Sequence, residues 1–129
     1  MAAMAYFLVF LGAGIGGGLR HAVNTLVTRL MGTEFPWSIM VINVTGSVVM
    51  GLAAGWLAFK MSAGWSQHAR LFAMTGILGG YTTFSAFSLD VALLWERGQL
   101  LAAALYVAGS VGLSILGLFA GLAIVRAVI

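Results

Sequence analysis

The chain alternates long uncharged, apolar runs with short segments that carry its few charges. Uncharged runs cover residues 1–19, 35–59, 71–89 and 98–125, and the shortest of them are 19 residues long. A helix needs about 20 predominantly apolar residues to cross the hydrocarbon core of a bilayer. The pattern therefore predicts four membrane-spanning helices, one for each run.

The segments between these runs are short. Residues 31–36, 61–68 and 96–98 are predicted to be loops, and such short connections make neighbouring helices antiparallel. Four spans use about 80 residues, which leaves too few of the 129 for a soluble domain. We therefore expect residues 1–129 to form one four-helix transmembrane domain, an all-α membrane protein.

Composition supports this assignment. Hydrophobic residues make up 62% of the chain and glycines number 18, against six Lys/Arg and three Asp/Glu. A soluble protein needs a far more charged surface, and a disordered protein has the opposite balance of charge and hydrophobicity. The chain has no cysteine, so a disulfide framework is excluded as well.

The six basic residues divide equally between the two sides of a four-span chain. One side collects Lys60, Arg70 and Arg126, and the other collects Arg20, Arg29 and Arg97. Because the Lys/Arg bias orients a membrane protein, equal counts predict insertion in both orientations. Basic residues placed singly near span ends suit lipid headgroups, so we expect no nucleic-acid partner.

Glycines recur at a spacing of four residues. Such small-xxx-small pairs let helix backbones approach closely in a membrane. The pairs are Gly12/Gly16, Gly14/Gly18, Gly51/Gly55 and Gly117/Gly121. They predict tight packing, and a bundle of only four helices favours oligomerisation.

The third run contains a stretch that is poorly suited to a continuous helix. Residues 76–88 read GILGGYTTFSAFS, with Gly-Gly and Thr-Thr pairs in the middle of the span. A break at membrane depth is tolerated only where it is buried in protein or lines a polar cavity. Its free carbonyls can hold a cation. The alternative is a packing kink, with the freed groups satisfied by the hydroxyls of Thr82, Thr83 and Ser85.

Phe84 and Phe87 follow this stretch, three residues apart and therefore on one helical face. Phenylalanines in membrane helices usually contact lipid or pack against a neighbour. Here Thr83, Ser85 and Ser88 surround the two rings with hydroxyl groups. Since an aromatic ring has a positive edge, rings and hydroxyls together could stabilise a small bare anion. The residues alone leave both interpretations open.

The second and fourth runs also carry polar side chains. Asn43 lies well inside the second run, where a buried amide needs partners. It serves either as a link between helices or as a donor that lines a pore. In the fourth run Tyr106, Ser110 and Ser114 follow at steps of four, which places three hydroxyls on one face. Serine often satisfies its own helix backbone, whereas a stripe that includes tyrosine favours a hydrated track.

Three segments together resemble the Fluc family of fluoride channels, also called CrcB. They are GGYTTFSAFS in the third run, INVTGS in the second and GAGIGGGLRH in the first, and the hydroxyl stripe of the fourth run joins them in the resemblance. The resemblance extends over all four runs, and the TTFSxFS string is its most specific part. It implies an antiparallel, dual-topology homodimer in the bacterial inner membrane, surrounded by lipid. The dimer would export cytoplasmic fluoride passively through two separate pores and so protect the cell from fluoride toxicity.

The resemblance also implies roles for individual residues. The pore-lining set would be Asn43, Thr83, Phe84, Ser85, Phe87, Ser88, Tyr106, Ser110 and Ser114. Arg20 matches the family arginine near the vestibule. The backbone carbonyls of Gly79 and Thr82, supplied by both subunits, would hold a structural sodium ion. The chain departs from the family pattern at Ala86, where threonine is usual, and at Asp90, where glutamate is common.

Two other functions are compatible with a small four-span protein. A proton-coupled multidrug exporter needs a carboxylate inside the membrane, but the first run has none and Asp90 is expected near the interfacial end of the third. A non-transporting assembly protein would use the polar residues only as links. Catalysis is not expected, because the chain has no cysteine and no pair of acids in one span.

Overall fold

The computed structural model describes residues 2–60 and 65–129, and all regular secondary structure in these residues is helical. The helices are α1 (Ala2–Met31), α2 (Trp37–Lys60), α3 (Trp65–Arg70), a π-helical segment (Leu71–Leu78), α4 (Gly79–Tyr81), α5 (Phe84–Glu96) and α6 (Leu100–Val128). The elements from α3 to α5 follow one another with one interruption and are called the third helix below.

Four of the helical stretches are long and apolar enough to cross a membrane. They are Ala2–Met31, Trp37–Ala58, Gln67–Glu96 and Leu100–Val128, with lengths of 22 to 30 residues. At a rise of about 1.5 Å per residue, even the shortest of them spans the roughly 30 Å of a hydrocarbon core. The prediction of four spans is therefore confirmed.

Two of the predicted loops lie where the sequence placed them. α1 ends at Met31, and Gly32 follows with φ +82°. After α5 the chain turns at Gly98, where φ is +76°, and the N–H of Gln99 donates to the carbonyl of Leu94 at 3.0 Å. This closing bond is that of a Schellman motif, in which glycine accepts the left-handed conformation without strain.

The loop predicted over residues 61–68 is wrong in its second half. Residues 61–64 lie outside the described part of the chain, but residues 65–68 belong to α3. The physical reason is that WSQHAR contains no glycine or proline to stop a helix, so the third helix begins before its apolar run does.

The helices pack in two groups, with α2 along α6 and α1 along the π-helical segment and α4. Glycines allow both approaches. A Cβ atom added at Gly12 would lie 2.5 Å from the carbonyl oxygen of Phe72, and one at Gly16 would overlap the carbonyl oxygen of Ile77. At Gly121 a Cβ would overlap the carbonyl oxygen of Val48. These positions therefore need glycine because two backbones come into direct contact there.

One predicted glycine pair does not pack inside the subunit. A Cβ atom at Gly14 or Gly18 would meet nothing within 4 Å. The prediction of close helix packing is confirmed for Gly12/Gly16, Gly51/Gly55 and Gly117/Gly121, and for Gly14/Gly18 it stays a prediction, because nothing in the described part of this chain packs against that pair. This pair leaves a smooth strip on the outer face of α1.

Candidate functional site

The third helix is interrupted at Thr82 and Thr83. Their backbones are extended, with φ −82° and ψ 158° at Thr82 and φ −153° and ψ 124° at Thr83. The predicted break is thus confirmed, although the Gly79–Gly80 pair remains helical. β-branched threonine suits an extended backbone, and Thr83 also caps α5, because its Oγ1 accepts the N–H of Ala86 at 3.2 Å.

Asn43 of α2 binds both backbone groups of Thr83. Its Oδ1 accepts the Thr83 N–H at 2.9 Å, and its Nδ2 donates to the Thr83 carbonyl at 3.1 Å. The amide therefore acts as a link between α2 and the break, which was one of its two predicted roles. It satisfies two groups that would cost several kcal/mol if they were left unpaired inside a membrane.

The break deprives the carbonyl oxygens of residues 79–82 of their helical donors, and those of Gly79 and Thr82 are the two predicted ligands. In a continuous helix the Gly79 carbonyl would accept the N–H of Thr83, and the Thr82 carbonyl would accept the N–H of Ala86. These N–H groups are bound instead by Asn43 and by the Thr83 hydroxyl. Within residues 2–60 and 65–129, neither carbonyl accepts a hydrogen bond. Free carbonyl oxygens of this kind suit a hard cation such as sodium.

An open groove of about 360 Å³ runs beside the break, between α2, α5 and α6. It contains six of the nine predicted pore residues, namely Asn43, Thr83, Phe84, Phe87, Ser110 and Ser114. Apolar side chains such as Met50 and Ile115 line the rest of it. The groove is therefore a mostly apolar passage with a few polar groups, and the pore role of these residues stays a prediction.

The two phenylalanines are adjacent but differ in exposure. Their ring centroids are 5.6 Å apart, with the planes tilted by 45°. Phe84 is 76% exposed, whereas Phe87 is 8% exposed and packs against Tyr106 at 5.1 Å between centroids. Phe87 therefore contributes to the packed interior as well as to the groove, and Phe84 projects from the subunit.

The hydroxyl stripe of α6 divides into two parts. Tyr106 is fully buried, and its hydroxyl donates to Oδ2 of Asp90 at 2.9 Å, away from the groove. The Oγ atoms of Ser110 and Ser114 are buried and have no hydrogen-bond partner in the described part of the chain. Two serines of the predicted track thus lie along the groove, and the tyrosine does not.

Three further predicted residues do not line the groove. The Oγ of Ser85 lies 3.2 Å from Oγ1 of Thr83, and Ser88 Oγ donates to the Phe84 carbonyl at 3.0 Å. Arg20 lies inside α1 rather than at its end, one turn before Asn24, whose Oδ1 accepts the Ser38 hydroxyl at 2.6 Å. The vestibule role of Arg20 and the pore roles of Ser85 and Ser88 stay predictions.

The structure adds contacts at the break that the sequence analysis missed. Thr45 Oγ1 and the Tyr81 hydroxyl are 2.9 Å apart, which links α2 to the third helix a second time. Gly46 lines the groove, and a Cβ there would overlap the methyl group of Thr82. The spacing of Gly46 from Asn43 was the available signal, since residues three apart share a helix face.

Comparison with known proteins finds relatives along nearly the whole chain. The model of the family described as CrcB-like protein, Camphor Resistance (CrcB), matches residues 7–122. The fluoride-specific ion channel FluC of Rhodopseudomonas palustris strain BisB5 is 65% identical over 125 residues, which cover 97% of this chain and 99% of the relative. FluC 2 of Nitrobacter hamburgensis is 63% identical over 123 residues, which cover 95% of this chain and 98% of the relative. FluC of Methylobacterium nodulans is 56% identical over 119 residues, which cover 92% of this chain and 94% of the relative. The chain therefore belongs to the CrcB family.

Proposed function

We propose that this protein is a fluoride-selective channel, through which cytoplasmic fluoride leaves the cell down its electrochemical gradient. The observation that carries the proposal is the near full-length identity of 65% to a protein named fluoride-specific ion channel FluC. The groove beside the break supports it, because it combines apolar walls with a few hydrogen-bond donors and ring edges.

The driving force comes from acid chemistry and from the membrane potential. Hydrogen fluoride crosses membranes as a neutral weak acid and ionises in a more alkaline cytoplasm, so fluoride accumulates there. A passive pore lets an inside-negative potential expel the anion, at about 2.3 kcal/mol per charge for each 100 mV. Export in this form needs neither ATP nor a coupled proton.

The groove has suitable groups to replace the hydration shell of fluoride. The residues Ser110 and Ser114 line the groove, and their buried hydroxyls have no partner in the described structure, so they would donate to an anion by turning towards it. The amide of Asn43 has a second N–H beyond the one bound to Thr83. The positive edges of Phe84 and Phe87 add weak attraction. Conduction needs such weak, distributed binding, because the ion must also leave.

We further propose that the working unit is an antiparallel homodimer with one pore along each groove. The equal numbers of basic residues on the two sides favour both orientations. A second subunit would cover the open side of the groove, from which Phe84 projects. The dimer would then work in the bacterial inner membrane, with lipid around it.

The dimer would share one sodium ion at its centre. The Gly79 and Thr82 carbonyls of both subunits are the proposed ligands, and their lack of other donors in the described structure fits this role. A bound sodium ion would neutralise the partial negative charges of these oxygens and hold the two subunits together. Its role is structural, since fluoride itself passes through the grooves.

Ion flux from liposomes tests the proposal directly. Purified protein in vesicles loaded with potassium fluoride should release fluoride when valinomycin provides a path for potassium. Vesicles loaded with potassium chloride should retain chloride. Release of both anions at similar rates, or of neither, would refute a fluoride-selective channel. Fluoride release that requires a proton gradient would point instead to a coupled exporter.

A further inference from the structure

The break in the third helix depends on a competition for one backbone N–H. The N–H of Thr83 can bind the Gly79 carbonyl, which would continue the helix, or the Oδ1 of Asn43, as observed at 2.9 Å. A break in the membrane persists only if the groups that it frees find other partners. Asn43 supplies these partners to Thr83 from another helix.

Asparagine is well matched to this task. A primary amide presents one acceptor and one donor side by side, as the backbone of a neighbouring strand would. Both atoms of Asn43 are used, on the N–H and on the carbonyl of the same residue. The other contacts at the break act on Tyr81, on Thr82 and on the side chain of Thr83, and among the described residues only Asn43 binds the Thr83 N–H.

We propose that Asn43 is a positioning residue for the cation site, and that it keeps the Gly79 carbonyl free to bind the ion. This inference rests on the proposed function, because it takes the sodium ion from there. Without the Asn43 acceptor, the Thr83 N–H returns to the Gly79 carbonyl. That oxygen is then occupied by a helical hydrogen bond, and the site loses one ligand from each subunit.

Three substitutions separate this role from a contact with fluoride. Asn43→Leu removes the acceptor but keeps the branched shape of the side chain, so it should weaken sodium binding. Asn43→Asp keeps the oxygen that accepts the Thr83 N–H and, with its carboxyl protonated at low pH, a donor for the Thr83 carbonyl, so under that condition it should retain sodium binding. Asn24→Leu is the matched control, since Asn24 is also a half-buried asparagine that joins two helices, far from the break along the chain.

The readout is thermal unfolding of detergent-purified dimer during a sodium titration, with N-methylglucamine keeping the ionic strength constant. A ligand that binds only the folded state raises the unfolding temperature with its concentration. We expect half of the effect at a sodium concentration at least tenfold higher for Asn43→Leu than for the parent. Asn43→Asp at low pH and Asn24→Leu should respond like the parent.

Each outcome of the sodium titration either supports or overturns the positioning role of Asn43. An unchanged sodium response of Asn43→Leu would overturn the inference and leave the proposed channel intact. If Asn43→Leu does not fold, Asn43→Asp still decides, because loss of its sodium response at low pH would contradict the role of the retained oxygen. A parent protein without any sodium response would refute the cation site and this inference together. The liposome assay would then still test the fluoride channel separately.

Discussion

Replacing Phe84 or Phe87 with isoleucine distinguishes a pore residue from a packing residue. Phe84 is 76% exposed within the subunit, so about a quarter of its side chain is buried there. Since full burial of a phenylalanine contributes about 1.5–3 kcal/mol, and isoleucine retains most of the apolar surface, Phe84→Ile should change the free energy of unfolding of the single subunit by well under 1 kcal/mol.

Phe87→Ile should destabilise the protein more. Phe87 is 8% exposed and lies 5.1 Å from the Tyr106 ring. A volume-conserving apolar swap costs up to about 1.5 kcal/mol, and the lost aromatic pair adds about 0.5–1.5 kcal/mol. The expected total of up to about 3 kcal/mol still leaves a protein that can be purified as a dimer.

The effect on flux should be large for both variants. A desolvated contact between an ion and a ring quadrupole is worth about 1–2 kcal/mol by analogy with cation–π pairs. Since each 1.36 kcal/mol on a barrier is about tenfold in rate, we expect fluoride efflux to fall by roughly 5-fold to 30-fold. Phe84→Ile is the sharper test, because its loss of flux would not be accompanied by a loss of stability of the subunit.

Fluoride efflux from liposomes, measured with an ion-selective electrode, checks this expectation. Phe119→Ile is the matched control, because Phe119 is 62% exposed on α6 and does not line the groove. It should conduct like the parent. If Phe84→Ile and Phe87→Ile also conduct at the parental rate, the fluoride path does not pass these rings and the proposed pore is in the wrong place.

Three further predictions concern assembly and packing. Reporter fusions at the C-terminus should be detected on both sides of the membrane, and a uniform orientation of the parent would exclude the antiparallel dimer. Two or three lysines added between α2 and α3 should fix one orientation and lower flux. Gly79→Leu should leave the single subunit folded, because a Cβ there meets only the Met74 carbonyl at 3.7 Å. It should nevertheless abolish dimer formation in size-exclusion chromatography and fluoride flux in the efflux assay. An active dimer would contradict the shared site. Gly16→Ala should lower the free energy of unfolding by about 1–3 kcal/mol, because the added Cβ overlaps the Ile77 carbonyl. Gly112→Ala is the control, because a Cβ there has no atom within 4 Å, and it should raise the free energy of unfolding by up to about 1 kcal/mol. Equal effects of the two variants in thermal unfolding would show that the contact at Gly16 is unimportant.

The gross fold could be predicted because hydrocarbon thickness sets the length of an apolar run. Four runs gave four helices, and the Gly-Gly and Thr-Thr pairs located the break to within a few residues. The sequence did not show that Gly79 and Gly80 stay helical while Thr82 and Thr83 become extended. That choice depends on Asn43, which is 40 residues away in the chain.

Contacts between distant residues account for the other differences between the predicted and the observed structure. Spacing alone placed Tyr106 with Ser110 and Ser114 on one face. The structure directs the Tyr106 hydroxyl to Asp90 on α5, a pairing that depends on the rotation and depth of two helices. Likewise, Gly12/Gly16 and Gly14/Gly18 have the same spacing, and only the position of α1 beside the third helix decides which pair is packed.

The unpartnered hydroxyls of Ser110 and Ser114 connect the structure to the proposed mechanism. A serine in a membrane helix usually donates to a carbonyl one turn earlier, and a buried hydroxyl without a partner costs about 1–3 kcal/mol. Neither serine makes such a bond in the described structure, and both lie along the groove. A groove filled with lipid would leave this cost uncompensated, whereas rotation of the two buried hydroxyls towards water or an anion in the groove would offset it. Because most of the lining is apolar, such an anion is held by few groups and is free to move on.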